Sequence, residues 1–170
     1  LFIGPHPDDI EIGAGATAAK LASEGKDMCF LVCTDGRYGS ANLASPMLPE
    51  ALAARRRGEA EKSAAALGVH DVRFLDLTDG GFYARDDLFR SICRVIGEFK
   101  PEVVFAPDPC VTSECHVDHL NVGECARRAA YLAPYEEIMT GYGAAGAPVA
   151  ALAYYMTAKP TQYIKTTGFV

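Results

Sequence analysis

Met28-Cys29-Phe30-Leu31-Val32-Cys33 is an unbroken apolar run of six residues, closed by Thr34-Asp35-Gly36. A short continuous apolar run of this kind fits a strand covered on both faces, as strands are in a parallel sheet. Its surroundings repeat the pattern. Leu1 to Gly4 reads as an earlier strand, Val72 to Leu75 and Val103 to Ala106 as later ones. Helical patterns lie between them: Glu11 to Glu24, stopped by Gly25; Pro49 to Leu67, closed by Gly68; Asp86 to Phe99; and about Val117 to Leu132. Asp35 to Pro49 is a long loop rich in Gly, Ser, Asn and Pro, and Gly141 to Ala151 reads as a flexible surface loop. Ala150 to Met156 and Gln162 to Lys165 read as late strands. Alternating strands and helices predict an α/β, three-layer Rossmann-like fold, its mostly parallel sheet joined by right-handed crossovers.

The 170 residues suit one domain with a sizeable core, spanning 1–170. Leu1 already lies in a strand and Val170 ends abruptly, so the domain is expected to be trimmed at both ends. Apolar residues make up 49% and charged residues 22%, an ordinary globular balance. A net charge of −6 argues against a nucleic-acid partner. No apolar run approaches the roughly 20 residues a membrane span needs, and the opening residues are expected to be a strand rather than a signal peptide. Six scattered cysteines without a CxxC pair are expected to be reduced, mostly buried thiols of a cytoplasmic protein. Cys29 and Cys33 should face the same buried side. Cys115 adjoins His116, but thiolate zinc sites usually gather further cysteines at close spacing.

Two clusters carry the chemistry. His6-Pro7-Asp8-Asp9 follows the first strand, and His116-Val117-Asp118-His119 follows the strand that starts at Val103. Parallel α/β folds bind ligands along the edge formed by the C-terminal ends of their strands. The clusters can therefore converge there, offering nitrogen and oxygen ligands to one divalent metal with acids and bases to spare. They hold three of the 4 histidines; the fourth, His70, reads as a surface loop residue. Pro7 stiffens the first loop, and the adjacent aspartates Asp8 and Asp9 must point in different directions. His116 and His119, three apart, share a face of a first helical turn, and Asp118 can fix the tautomer of a histidine.

Gly13-Ala14-Gly15-Ala16-Thr17-Ala18, with Asp35 some way behind, has the outline of a dinucleotide fingerprint. Its first glycine should sit at the strand end. Here His6, Asp8, Asp9 and Glu11 intervene, and the three carboxylates among them repel phosphate. The glycines are expected inside the first helix, allowing close packing on the sheet.

Pro5-His6-Pro7-Asp8-Asp9-Ile10-Glu11-Ile12-Gly13, with His116-Val117-Asp118-His119 and Val122-Gly123, resembles the PIG-L/LmbE-like family of zinc-dependent N-deacetylases. That family includes the N-acetylglucosaminyl-phosphatidylinositol deacetylase and the deacetylases of mycothiol and bacillithiol synthesis. The likeness runs through Thr34 to Gly39, Arg56-x-x-Glu59 and Asp79-Gly80. It departs at Asp35-Gly36-Arg37-Tyr38, where relatives read Thr-Arg-Gly-Glu-x-Gly, and the family pattern continues past Val170.

The resemblance implies the LmbE-like fold with its metal site at the strand C-termini, and one Zn2+ per chain, with Fe2+ or another divalent metal as the alternative. It implies His6, Asp9 and His119 as ligands, Asp8 as general base, His116 as the group that steadies or protonates the intermediate, and Asp118 as orienting a histidine. Arg56 and Asp79 match sugar-contacting positions; a helix ion pair with Glu59 and a plain turn residue are their alternatives. The implied reaction is hydrolysis of the N-acetyl group of an N-acetylglucosamine-type sugar, by metal-activated water with Asp8 taking the proton. The implied partner is that small molecule, and a homo-oligomer is compatible with it. A metal-dependent phosphoesterase would use a similar residue set but usually two metals, and a non-catalytic sugar-binding relative would have no use for Asp8 beside Asp9.

Overall fold

The computed structural model describes residues 1–41 and 43–169. The strands are β1 (Phe2–Gly4), β2 (Cys29–Thr34), β3 (Asp71–Leu77), β4 (Val103–Pro107) and β5 (Ala151–Tyr155). The helices are α1 (Asp9–Ser23), α2 (Pro49–Ala66), α3 (Arg85–Phe99), α4 (Val117–Leu132) and α5 (Glu136–Gly141). All strand pairs are parallel, in the order β3-β2-β1-β4-β5.

Every residue of β2 is buried, as its unbroken apolar run requires. Cys29, Leu31 and Cys33 pack on one face with Leu88, Ile92 and Ile96 of α3 and with Val122, Ala126 and Ala129 of α4. Phe30 points to the other face, with Ile10, Ala14 and Ala18 of α1 and Ala64 of α2. Three layers result, helices covering the sheet on both sides.

Gly13 and Gly15 lie inside α1. A Cβ at Gly13 would overlap the ring of Tyr155 on β5, whose hydroxyl donates to the Ile3 carbonyl at 2.7 Å. Gly13 thus serves helix–sheet packing, whereas a Cβ at Gly15 would come no closer than an ordinary 3.7 Å, to Leu67.

Gln162–Lys165 is a correction: the segment is irregular and largely exposed, not a strand. It pairs with neither edge strand, β3 or β5, and Lys20 Nζ donating to the Lys165 carbonyl at 3.2 Å ties it to α1 instead. The six-residue α5 was not predicted, being too short to show a period. Of the expected loop Gly141 to Ala151, residues 142–150 are irregular but pinned: Gly146 N donates to Glu136 at 2.8 Å and Ala147 N to the Ala133 carbonyl at 2.8 Å.

The chain runs outward from β1 through β2 to β3, then crosses back to place β4 on the other side of β1. Where the order reverses, the loops leaving β1 and β4 part, and the crevice between them is where folds of this kind bind ligands.

Candidate active site

The loop after β1 is fixed before any ligand arrives. The Pro5 carbonyl accepts both the amide and the hydroxyl of Thr34, each at 2.8 Å, which locks it to the end of β2. Asp8 N donates to the His6 carbonyl at 2.9 Å, and α1 begins at once with Asp9. This turn separates the two aspartates. The Asp9 side chain is 9% exposed and reaches back to His6, Oδ2 taking the His6 amide at 2.8 Å and standing 2.9 Å from Nδ1. The Asp8 side chain is 50% exposed, and its Oδ1 meets Arg56 Nη2 at 2.9 Å.

The loop after β4 is organised by Glu114. One of its oxygens accepts the His116 amide at 2.7 Å, and the other lies 3.0 Å from His119 Nδ1. His116 caps α4, its Nδ1 accepting the Asp118 amide at 3.3 Å. Asp118 is fully buried. It accepts Gly80 N at 2.7 Å, Gly81 N at 2.9 Å and the Tyr83 hydroxyl at 2.7 Å, and it stands 3.2 Å from His6 Nε2. Asp79 also faces His6 Nε2, at 3.3 Å, while accepting Tyr38 N at 3.1 Å.

A simple rule emerges. Each of two imidazoles has one nitrogen gripped by an outer carboxylate: His6 Nε2 by Asp118 and Asp79, His119 Nδ1 by Glu114. The other nitrogen of each faces the same carboxylate, Asp9, at 2.9 Å for His6 and 3.3 Å for His119. Metal-binding histidines are held in this way, the outer carboxylate fixing tautomer and ring orientation. Donor atoms of His6, Asp9 and His119 lie within 4.8 Å of one another, and two imidazoles with one carboxylate suit zinc or a similar divalent ion.

His6, Asp79, His116 and Asp118 form a second such group. It is the poorer cradle, because Asp118 already has four hydrogen-bonding partners and Asp79 holds an amide and His6. Cys115 is exposed, its thiol on the Ser113 carbonyl, and belongs to neither group.

Charges agree with the contacts. Burial alone would lower the pKa of His6, but Asp118 and Asp9, with Asp79 behind them, lift it to about 10. Burial would raise Asp9 and Asp118, yet their bonds to the histidines, and for Asp118 to Tyr83 and Gly80 as well, hold both well below the usual carboxylate range. His119 is raised, chiefly by its bond to Asp9. Burial and Asp118 push the Tyr83 phenol up, so it remains a donor. An arriving cation would compete with the proton that Asp118 and Asp9 favour on His6.

All eight sequence candidates lie in or beside this crevice. Asp118 spends its carboxylate on His6; its nearest oxygen is 3.8 Å from His116 Nδ1. With Nδ1 accepting the Asp118 amide, a neutral His116 carries its proton on Nε2. Arg56 pairs with Asp8 and donates to the Gly36 carbonyl at 3.0 Å, whereas the partner of Glu59 is Arg55. Asp79 is 5% exposed and bound to His6, so it is more than a turn residue. Sequence reasoning missed Glu114 and Tyr83; the only signal for Glu114 was its place five residues before His119. A cavity of about 700 Å³ opens at the opposite end of the sheet, among Phe2, Met28, Phe99 and Phe105, and no histidine lines it.

Residues 1–130 match a family model described as PIG-L, GlcNAc-PI de-N-acetylase. The diacetylchitobiose deacetylase of Thermococcus kodakarensis is 33% identical over 167 residues, covering 96% of this chain and 62% of the relative. The N,N'-diacetylchitobiose deacetylase of Pyrococcus horikoshii, solved with its inhibitor MPG, superposes with a TM-score of 0.87 at 30% identity, covering 98% of this chain and 63% of the other. The 4-carboxy-2-hydroxymuconate hydratase GalB of Pseudomonas putida superposes with a TM-score of 0.73 at 26% identity, covering 87% and 62%. The chain therefore spans a little over three-fifths of the length of these proteins.

Proposed function

From the premise that this chain belongs to the PIG-L family of de-N-acetylases, we propose that it is a metal-dependent hydrolase removing the acetyl group from an N-acetylglucosamine-type sugar derivative. One observation carries the reading. Asp9 lies between two imidazoles, His6 steadied from behind by Asp118 and Asp79 and His119 by Glu114, while Asp8 next door turns outward. His6, Asp9 and His119 would hold one divalent ion, zinc by the chemistry of the donor set, with iron(II) the alternative. When bound, such an ion polarises a carbonyl and acidifies water.

The remaining chemistry belongs to side chains. Asp8 is the exposed carboxylate beside the ligands, placed to take a proton from attacking water. Arg56 fixes one oxygen of Asp8, leaving the other for that proton. His116 is half exposed, and with Nδ1 occupied its donor when neutral is Nε2–H. That N–H donates to the oxygen that gains negative charge as the amide carbonyl is attacked. The departing amine must leave protonated, and Asp8, having just gained a proton, is the nearest source. The six free thiols favour a reducing compartment such as the cytoplasm. None of the helices among the described residues is long and apolar enough to cross a membrane.

The superposition with GalB favours a second reading, addition of water to a carbon–carbon double bond. Acetate release separates the two. The purified protein loaded with Zn2+ is assayed for acetate and free amine across a panel of N-acetylglucosamine derivatives. Stoichiometric acetate and amine support deacetylation. Their absence, with hydration of an unsaturated carboxylate, supports the rival.

A further inference from the structure

We propose that Tyr38 and Phe82 form a stacking subsite for a second sugar ring, the one joined to the N-acetylated sugar; this rests on the deacetylase reading above. Both are large, exposed aromatics, at 51% and 71%, and they meet edge to face with ring centroids 6.1 Å apart. Scattered exposed apolar residues are ordinary, but these two are built into the site. The amide of Tyr38 donates to Asp79. The amides of Gly80 and Gly81, just before Phe82, donate to Asp118. Asp79 and Asp118 are the two carboxylates that grip the same nitrogen of His6. The rings are therefore placed relative to the candidate metal ligands by two short chains of hydrogen bonds.

Glycine makes this possible. Gly80 and Gly81 have φ of 87° and 80°, a left-handed pair that other residues rarely adopt. This turn points both amides inward and sends Phe82 outward. A Cβ at Gly80 would come within 3.1 Å of the Phe82 ring and 3.8 Å of the Tyr38 ring, so both rings close over bare backbone. Val117, 42% exposed and standing between His116 and Asp118, packs on Gly81 and continues the apolar rim to the catalytic side.

The chemistry of the rim selects its occupant. An anion finds no charge on these three side chains. A lipid chain needs a continuous apolar track, but the next residue before Tyr38 is the charged Arg37, bound to Asp35 at 2.7 Å. A pyranose with equatorial hydroxyls presents flat C–H faces and a polar edge, matching an aromatic plane flanked by hydrogen-bonding groups.

The test compares N,N'-diacetylchitobiose with monomeric N-acetylglucosamine, by acetate release from the Zn2+-loaded protein. Phe82→Ala is expected to lower the ratio of their kcat/KM values by about tenfold, through KM for the disaccharide, the scale of one lost stacking contact. Tyr38→Ala moves the ratio in the same direction. Phe82→Trp keeps the aromatic face and most of the ratio, while Phe82→Leu keeps bulk and loses it. Equal losses on both substrates, or a wild-type ratio in Phe82→Leu, overturn the subsite while leaving the deacetylase reading in place. Acetate from neither substrate in the wild type overturns that reading, and the subsite with it.

Discussion

Asp8 and Asp9 are adjacent in the chain and opposite in circumstance, and His116 and His119 repeat the contrast. Asp9 is buried, with its oxygens committed to two histidines and an amide. Asp8 is half exposed and has a single cationic partner, Arg56. His119 is 16% exposed between Asp9 and Glu114, whereas His116 is 46% exposed and accepts one backbone amide. One half of the site is therefore fixed and dry, the other open and loosely held. Ligands that must define an ion's geometry need the first environment, and groups that must exchange protons with substrate need the second.

If this division is functional, substitutions should fall into two kinds. Asp9→Ala is expected to remove both metal and measurable turnover. Asp8→Asn should keep the metal and lose roughly 10²–10⁴-fold in rate, the range for removal of a general base. Elemental analysis beside acetate release checks both, and equal metal loss in the two variants would erase the division. His116→Ala should also keep the metal and lower kcat more than it raises KM, since its contact is made mainly as charge develops. Glu114→Gln sharpens the buried side: weakening an outer carboxylate should cost about 10–100-fold in metal affinity, measured by competition with a chelator.

The smallest effect concerns pH. His6 is raised from 6.5 to about 10 in the metal-free protein. A group raised on folding stabilises fully below its unfolded pKa, and that stabilisation is lost as pH rises through the folded one. Wild-type stability relative to His6→Gln should thus decline from about pH 6.5 toward pH 10 without metal, as followed by urea midpoints. A constant difference would mean that His6 is not held charged by its carboxylates.

Much of this was legible in the sequence. The fully apolar Cys29–Cys33 run implies a strand covered on both faces, and the sheet follows from its repeats. The two clusters were recognisable because their residues lie in short contiguous stretches behind strands. Other features depend on tertiary contacts that local pattern does not encode. Asp118 serves His6 across 112 residues, and Tyr83 is tied to Asp118 across 35. Glu114 reaches the His116 amide and His119 from a turn in which its own amide donates to the Val111 carbonyl at 3.0 Å. Gln162–Lys165 has a strand-like composition, but local composition cannot say whether a segment pairs with a sheet edge, and this one does not.

The most direct measurement is a Zn2+ titration of the metal-depleted protein, following acetate release from N,N'-diacetylchitobiose at each addition. Activity should rise linearly and level off at one equivalent per chain, with His6, Asp9 and His119 as the only cradle filled. Full activity without metal, or a plateau reached only at two equivalents, would contradict a single catalytic ion held between two braced imidazoles.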